Sequence, residues 1–171
     1  MSLMDKFRLD GKTAIVTGAA SGIGLATAEL FHAKGWFVAG YDIDLAALRK
    51  LEARWGDSCT TGYLDVRDPA AFNEAMALFS TFTDGQLDIM FNNAGVGGAI
   101  GPLTETTVAS WDYTFDVLAK GVFLGIKHAA IAMRAAGKGG SIINTASIAG
   151  LSGDAGPLVY SAAKAAVISL T

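Results

Sequence analysis

One cysteine, Cys59, stands in 171 residues, so the chain can close no disulfide within itself and offers no CxxC pair to a metal. That scarcity suits a reducing compartment, and a cytoplasmic location is expected. Charge is scarce too: Asp, Glu, Lys and Arg make up 17% of the residues, the net charge is -3, and no basic run gathers to neutralise phosphates. Nucleic acid is therefore not an expected partner. No window of about 18 apolar residues is free of charges, so no membrane span is expected. The opening "MSLMDKFRLDGK" lacks the apolar stretch of a secretory signal. Repeats, low-complexity tracts and linkers are absent as well, which points to a single domain over 1–171. What the chain has in quantity is apolar surface. At 51% of the residues it is enough for a sizeable core, with a surplus that predicts contact between subunits.

That apolar content comes in short runs separated by helical patterns. "KTAIVT" (12–17), "WFVAGYD" (36–42), "CTTGYLD" (59–65), "LDIMFNN" (87–93) and "SIINTAS" (141–147) are brief, rich in β-branched or aromatic residues, and apolar on both faces. Strands buried on both sides have this composition. Helices are predicted over 22–34, 44–55, 69–82, 108–136 and 158–171, with Asp68 capping and Pro69 opening the third. Strand and helix alternating at this rhythm specify an α/β fold with a parallel, doubly wound sheet of the Rossmann type.

The first strand runs into "TGAASGIG", which places Gly18, Gly22 and Gly24 at a helix N-terminus. There the free backbone amides and the helix dipole suit a pyrophosphate. The spacing is GxxxGxG and not the commoner GxGxxG. A glycine turn that merely lets helix and strand pack closely is the alternative reading. Asp42 closes the second strand, where a carboxylate can take the hydroxyls of an adenosine ribose; Asp44 is available to cap the next helix in its place. Loop and acid together predict dinucleotide binding, and they suit a flavin less well. Near the other end, "YSAAKAAVISLT" sets Tyr160 and Lys164 four residues apart, on one helical face. A phenol is a poor base at neutral pH, and a neighbouring ammonium favours the phenolate. The pair can therefore move a proton, unless it is only a solvated helix face.

From Lys12 to Thr171 the chain resembles the short-chain dehydrogenase/reductases. The likeness is carried by "TGAASGIG", "LDV" (64–66), "NNAG" (92–95), Ser147 after the fifth strand, and Tyr160-Ser161-Ala162-Ala163-Lys164. The resemblance implies an oxidoreductase that interconverts a small alcohol and a ketone by hydride transfer to or from NAD. It implies Gly18, Ser21, Gly22, Ile23 and Gly24 under the cofactor phosphates, Asp42 at the ribose, and Asp65 and Val66 beside the adenine. Asn93, Ala94 and Gly95 would line the middle of the cofactor, though the polar side chains of that motif can also tie strands together. Ser147, Tyr160 and Lys164 match the catalytic residues, with Tyr160 as acid–base and Lys164 also holding the nicotinamide ribose. Asp42 facing a 2′-phosphate, with no cation in Ile43 or Ala20–Ser21, predicts NAD over NADP. A homo-oligomer paired through helix 108–136 is expected, from Trp111, Phe115, Leu118, Val122, Phe123, Ile126 and Ile131 and from the habit of the family.

Two departures stand against this reading. The asparagine that the family carries in the long helix falls on Leu118, which can neither hold a water nor relay a proton. The strands and the substrate-covering loop that follow the Tyr–Lys helix in the family have no counterpart before Thr171, and "SIINTAS" is expected to form a sheet edge. Both departures support an alternative: a non-catalytic NAD-binding or assembly module.

Overall fold

The computed structural model describes residues 11–153 and 155–171; residues 1–10, most of the stretch read above as lacking a secretory signal, lie outside them. Five strands form: β1 (Thr13–Thr17), β2 (Phe37–Asp42), β3 (Cys59–Tyr63), β4 (Ile89–Asn92) and β5 (Ser141–Asn144). Each is shorter than the apolar run that predicts it: β1 and β2 start one residue later, β4 is trimmed at both ends, and the trailing residues of β3 and β5 leave the sheet to build loops. Helices α1 (Gly22–Ala33), α2 (Leu45–Trp55) and α3 (Pro69–Thr83) connect the early strands. Asp44 caps α2 by accepting from the Ala47 amide at 3.0 Å, and Asp68 caps α3 by accepting from Ala70 at 2.8 Å, with Pro69 in the first turn.

The single helix expected over 108–136 is instead two: α4 (Val108–Phe115) and α5 (Gly121–Ala136), joined by a wide π turn, Asp116–Lys120. There the Gly121 amide reaches back five residues to the Asp116 carbonyl. Apolar spacing does not register this, since it leaves the same side chains inward. Turns of this kind are frequent at functional sites. Helix α6 (Leu158–Leu170) carries Tyr160 and Lys164.

The strands are all parallel and lie in the order β3-β2-β1-β4-β5. Alternate side chains go to opposite layers. Ile15, Ala39, Tyr41 and Met90 pack with Phe72, Phe79, Leu124, Met133 and Ala163 from α3, α5 and α6. Ala14, Val16, Val38 and Phe91 pack with Ala28, Leu48, Leu51 and Trp55 from α1 and α2. Cys59 is buried in β3, where burial and the nearby Glu52 carboxylate push its thiol up, as in an inert core residue. At the end of the sheet away from the glycine loop, Asp88 accepts from the Thr13 amide at 2.9 Å, clamping β4 to β1. Among the described residues no helix is long and apolar enough to cross a membrane.

The chain winds outward from β1 to β3, then crosses back to place β4 on the other flank of β1. Loops leaving β1 and β4 therefore diverge, and a crevice opens between them at the C-terminal ends of the strands.

Candidate active site

The crevice is a cleft of about 700 Å³, and a single hydroxyl holds its floor together. Thr17, the last residue of β1, accepts from the amides of Asn93 and Ala94 at 3.0 and 3.2 Å and donates to the Phe91 carbonyl at 3.4 Å. Asn93 returns the tie: its Nδ2 donates to the Thr17 carbonyl at 3.2 Å, and its Oδ1 accepts from the Thr145 hydroxyl at 3.3 Å. Asn92 donates to Asn144 Oδ1 at 2.8 Å, joining β4 to β5. The strand-tying role weighed for this motif is real, and Asn93, Ala94 and Gly95 still line the cleft.

On the other side of the floor the glycine loop climbs from β1 into α1. Gly18 takes a φ of +70°, and a Cβ there would stand 2.9 Å from Ala94 Cα. Gly24 has no room either, since a Cβ would collide with the Gly18 carbonyl oxygen and with Asn93 Nδ2. Gly18, Ser21, Gly22 and Ile23 line the cleft; Gly24 does not, and acts by letting α1 start close above the strand. Ser21, the N-cap, makes no side-chain bond to the helix, and no acid occupies the first turn. The positive end of α1 is thus unclaimed by the protein's own side chains, which fits a cradle for a dinucleotide pyrophosphate.

Asp42 stands at the lip beside this loop. Its two oxygens accept from the Ala20 and Asp44 amides, both at 3.0 Å, so the carboxylate is fixed facing the cleft. Asp65 and Val66 follow β3. Val66 is buried against the start of α5, where Gly121 leaves it room. Asp65 grips Arg67 with both oxygens, from 2.6 to 3.0 Å, and that hydrogen bonding holds its carboxyl below the usual range against the opposing effect of burial. The Arg67 guanidinium lies 5.3 Å from the centre of the Tyr113 ring on α4, closing this end of the cleft from above.

The opposite end holds Tyr160 and Lys164. Lys164 is 4% exposed; its ammonium donates to the Thr145 carbonyl at 2.6 Å and stands 5.7 Å from the centre of the Tyr160 ring. Burial pushes the Lys164 pKa down. Tyr160 and Lys164 both line the cleft, so they are not a solvated helix face. Ser147 is half-buried and lies just off the lining. Its Oγ accepts from the Ala149 amide at 3.1 Å, capping a short turn, Ile148–Gly150, that packs against α6. Leu118 sits within the π turn, 1% exposed, with Gly95 beneath it and Tyr160 packed against the same core.

Sequence reasoning missed several of these parts. Thr145 contributes a main-chain carbonyl, which no residue type announces, and Thr17 acts through a hydroxyl at a strand end. Arg67 was legible only as the opposite charge two residues after Asp65.

Comparison with known proteins shows the family and agrees with the fold. The family described as short chain dehydrogenase matches residues 12–171. The sorbitol dehydrogenase of Cereibacter sphaeroides is 44% identical over 96% of this chain and 63% of its own length. The galactitol 2-dehydrogenase of Agrobacterium fabrum is 39% identical, again over 96% of this chain and 63% of its own. A short chain dehydrogenase/reductase from Burkholderia phymatum, solved in complex with NAD, superposes with a TM-score of 0.90 at 35% identity, covering 96% of this chain and 59% of that one. The chain spans less than two thirds of the length of these relatives.

Proposed function

The chain belongs to the short-chain dehydrogenase family, and on that footing we propose that it is an NAD-dependent oxidoreductase interconverting an alcohol and a ketone. One observation carries the reading: a buried Lys164 ammonium, anchored on the Thr145 carbonyl, held beside the Tyr160 ring at the wall of a nucleotide-sized cleft. Bound NAD supplies the hydride acceptor. Tyr160 takes the alcohol proton at its phenolic oxygen, or returns one to a ketone. Lys164 has one proton on Thr145 and the others left to hold the ribose hydroxyls and to favour the phenolate. The Ser147 oxygen already accepts from Ala149, so its own O–H is available to donate to the reacting oxygen. Leu118 keeps the wall behind Tyr160 dry, and the proton then leaves through the mouth of the cleft instead of through a relay in the helix.

The cofactor roles follow the same geometry. Gly18, Ser21, Gly22 and Ile23 take the pyrophosphate, with Gly24 packing beneath them; Asp42 takes the adenosine ribose, Asp65 and Val66 flank the adenine, and Asn93, Ala94 and Gly95 support the middle. Preference for NAD over NADP rests on Asp42, whose fixed carboxylate would repel a 2′-phosphate. The one guanidinium among the described lining residues, Arg67, is already gripped by Asp65.

Titration with NAD, followed by nicotinamide absorbance in the presence of small alcohols, tests the reading. Saturable binding with turnover is expected; saturable binding without turnover would return the assembly-module alternative. Pairing through 108–136 is proposed on Trp111, Phe123 and Ile131, which are exposed at 40%, 46% and 58%, whereas Leu118 and Val122 are buried in the chain's own core. A dimeric mass in solution is the expected result.

A further inference from the structure

The cleft has two ends of different chemistry, and the difference bears on what enters beside the cofactor. The β2–β3 side carries carboxylates and a guanidinium: Asp42, Asp65 and Arg67. On the β4–β5 side, among the described residues, the wall is Val96, Gly97, Ile100, Val117, Leu118 and Pro157. The two polar side chains there besides Tyr160 and Lys164 are already committed. Asn93 bonds to Thr17 and Thr145, and the Thr145 hydroxyl bonds to Asn93 while its carbonyl is taken by Lys164. Thr114 lies behind the loop that carries Ile100; its hydroxyl donates to the Ser110 carbonyl at 2.7 Å and accepts from the Ala99 amide at 2.9 Å. Exposed apolar side chains continue the surface outward: Ile100 at 83%, and Ile148 at 78% and Leu151 at 76% on the turn that Ser147 caps.

We infer that the substrate is an apolar secondary alcohol or ketone, alicyclic or larger, and not a polyol. The inference rests on the dehydrogenase reading above and deepens it. Several hydroxyls beyond the reacting one would meet side chains that are mostly hydrocarbon, Val96, Ile100, Val117, Leu118 and Pro157, and a hydroxyl buried against them without a partner is disfavoured. A hydrocarbon ring or chain, by contrast, gains from every contact with Val96, Ile100 and Pro157. Ile100, in the lining, is the residue assigned to this preference, and Ile148, outside the lining on the turn that Ser147 caps, extends the apolar surface at its edge. Neither contributes much to folding, given its exposure, so each can be exchanged without loss of the fold.

The test compares kcat/KM for cyclohexanol and sorbitol with NAD on the full chain, alongside Ile100→Asn and Ile148→Asn. A preference for cyclohexanol on the order of a hundredfold is expected. Each substitution should lower cyclohexanol kcat/KM by roughly tenfold, mostly through KM, with NAD affinity unchanged. Sorbitol used as well as cyclohexanol, or better, overturns the inference and leaves the dehydrogenase reading standing. Oxidation of neither alcohol by a protein that binds NAD overturns the dehydrogenase reading and the inference with it.

Discussion

β1 is buried along its whole length and the middle of β2 is too, whereas β5 is exposed at Ser141 and Ile143 and only half-buried at Ile142 and Asn144. The two flanks of the sheet also recruit their chemistry differently. On the β1–β3 flank, backbone amides of one loop and two carboxylates at strand ends make the cradle proposed for the nucleotide, and each lies within a few residues of the strand that positions it. On the β4–β5 flank, the working groups come from α6, the π turn and two loops, and Lys164 reaches across to the Thr145 carbonyl to hold them together. The proposed binding is therefore built largely from local structure, and the proposed proton transfer from tertiary contacts. A change on one flank should be separable from a change on the other.

The sharpest test of that separation is Tyr160→Phe. The ring keeps its packing and the proton carrier is lost, so turnover should fall by about 10²–10⁴-fold. The NAD dissociation constant, measured by fluorescence titration, should barely move. Lys164→Ala should weaken both, because Lys164 is assigned to proton transfer and to the ribose. Equal loss of NAD affinity in both variants would erase the distinction between the flanks.

Stability offers the next contrast. Val16→Ala, in the fully buried β1, should cost about 2 kcal/mol through lost methyl groups and the space they leave. Ile143→Ala, on the 42% exposed side chain of β5, should cost less than about 1 kcal/mol. Urea denaturation of both variants checks the pair.

Cofactor choice should respond only on the first flank. The proposed preference for NAD over NADP is roughly ten- to hundredfold, from a repulsion of about 1.5–3 kcal/mol. Asp42→Ala should narrow it, read as the ratio of the two dissociation constants. An unchanged ratio would remove Asp42 from its assigned role.

The smallest expected effect is in acid. Arg67 hydrogen bonds hold the Asp65 carboxyl below its ordinary value, so the folded state binds that proton less readily than the unfolded chain does. The stabilisation is present above the ordinary carboxylate value and is lost as pH falls through the lower folded one. Wild type should therefore lose its advantage over Asp65→Asn in that window, as followed by thermal melts at stepped pH.

Much of the first flank was legible in the sequence, because its information is local. The alternation of apolar runs marked all five strands, and Asp44 as the cap of α2, with Asp42 left at the strand end facing the cleft, followed from one standing before a helix and the other closing a strand. The second flank was harder to read. A π turn leaves apolar spacing intact, so 108–136 looked like one helix. The groups that anchor Lys164 and floor the cleft are a carbonyl and a strand-end hydroxyl, neither of which stands out in a list of side chains. Gly24 shows the limit of motif reading: the glycine is required, but by the collision a Cβ would make beneath the cleft and not by a place in its lining.

The Asp42 carboxylate has a consequence for how this protein could change over evolutionary time. The group proposed to reject a 2′-phosphate is also the pin between the glycine loop and the start of α2, through the amides of Ala20 and Asp44. A mutation here that removes the charge and leaves no acceptor also unfastens the loop proposed to hold either cofactor. The path to NADP use thus runs through an intermediate that binds both cofactors poorly, unless a replacement for the pin arrives first. Asn at position 42, which keeps an acceptor for one amide and drops the charge, is the most accessible such step.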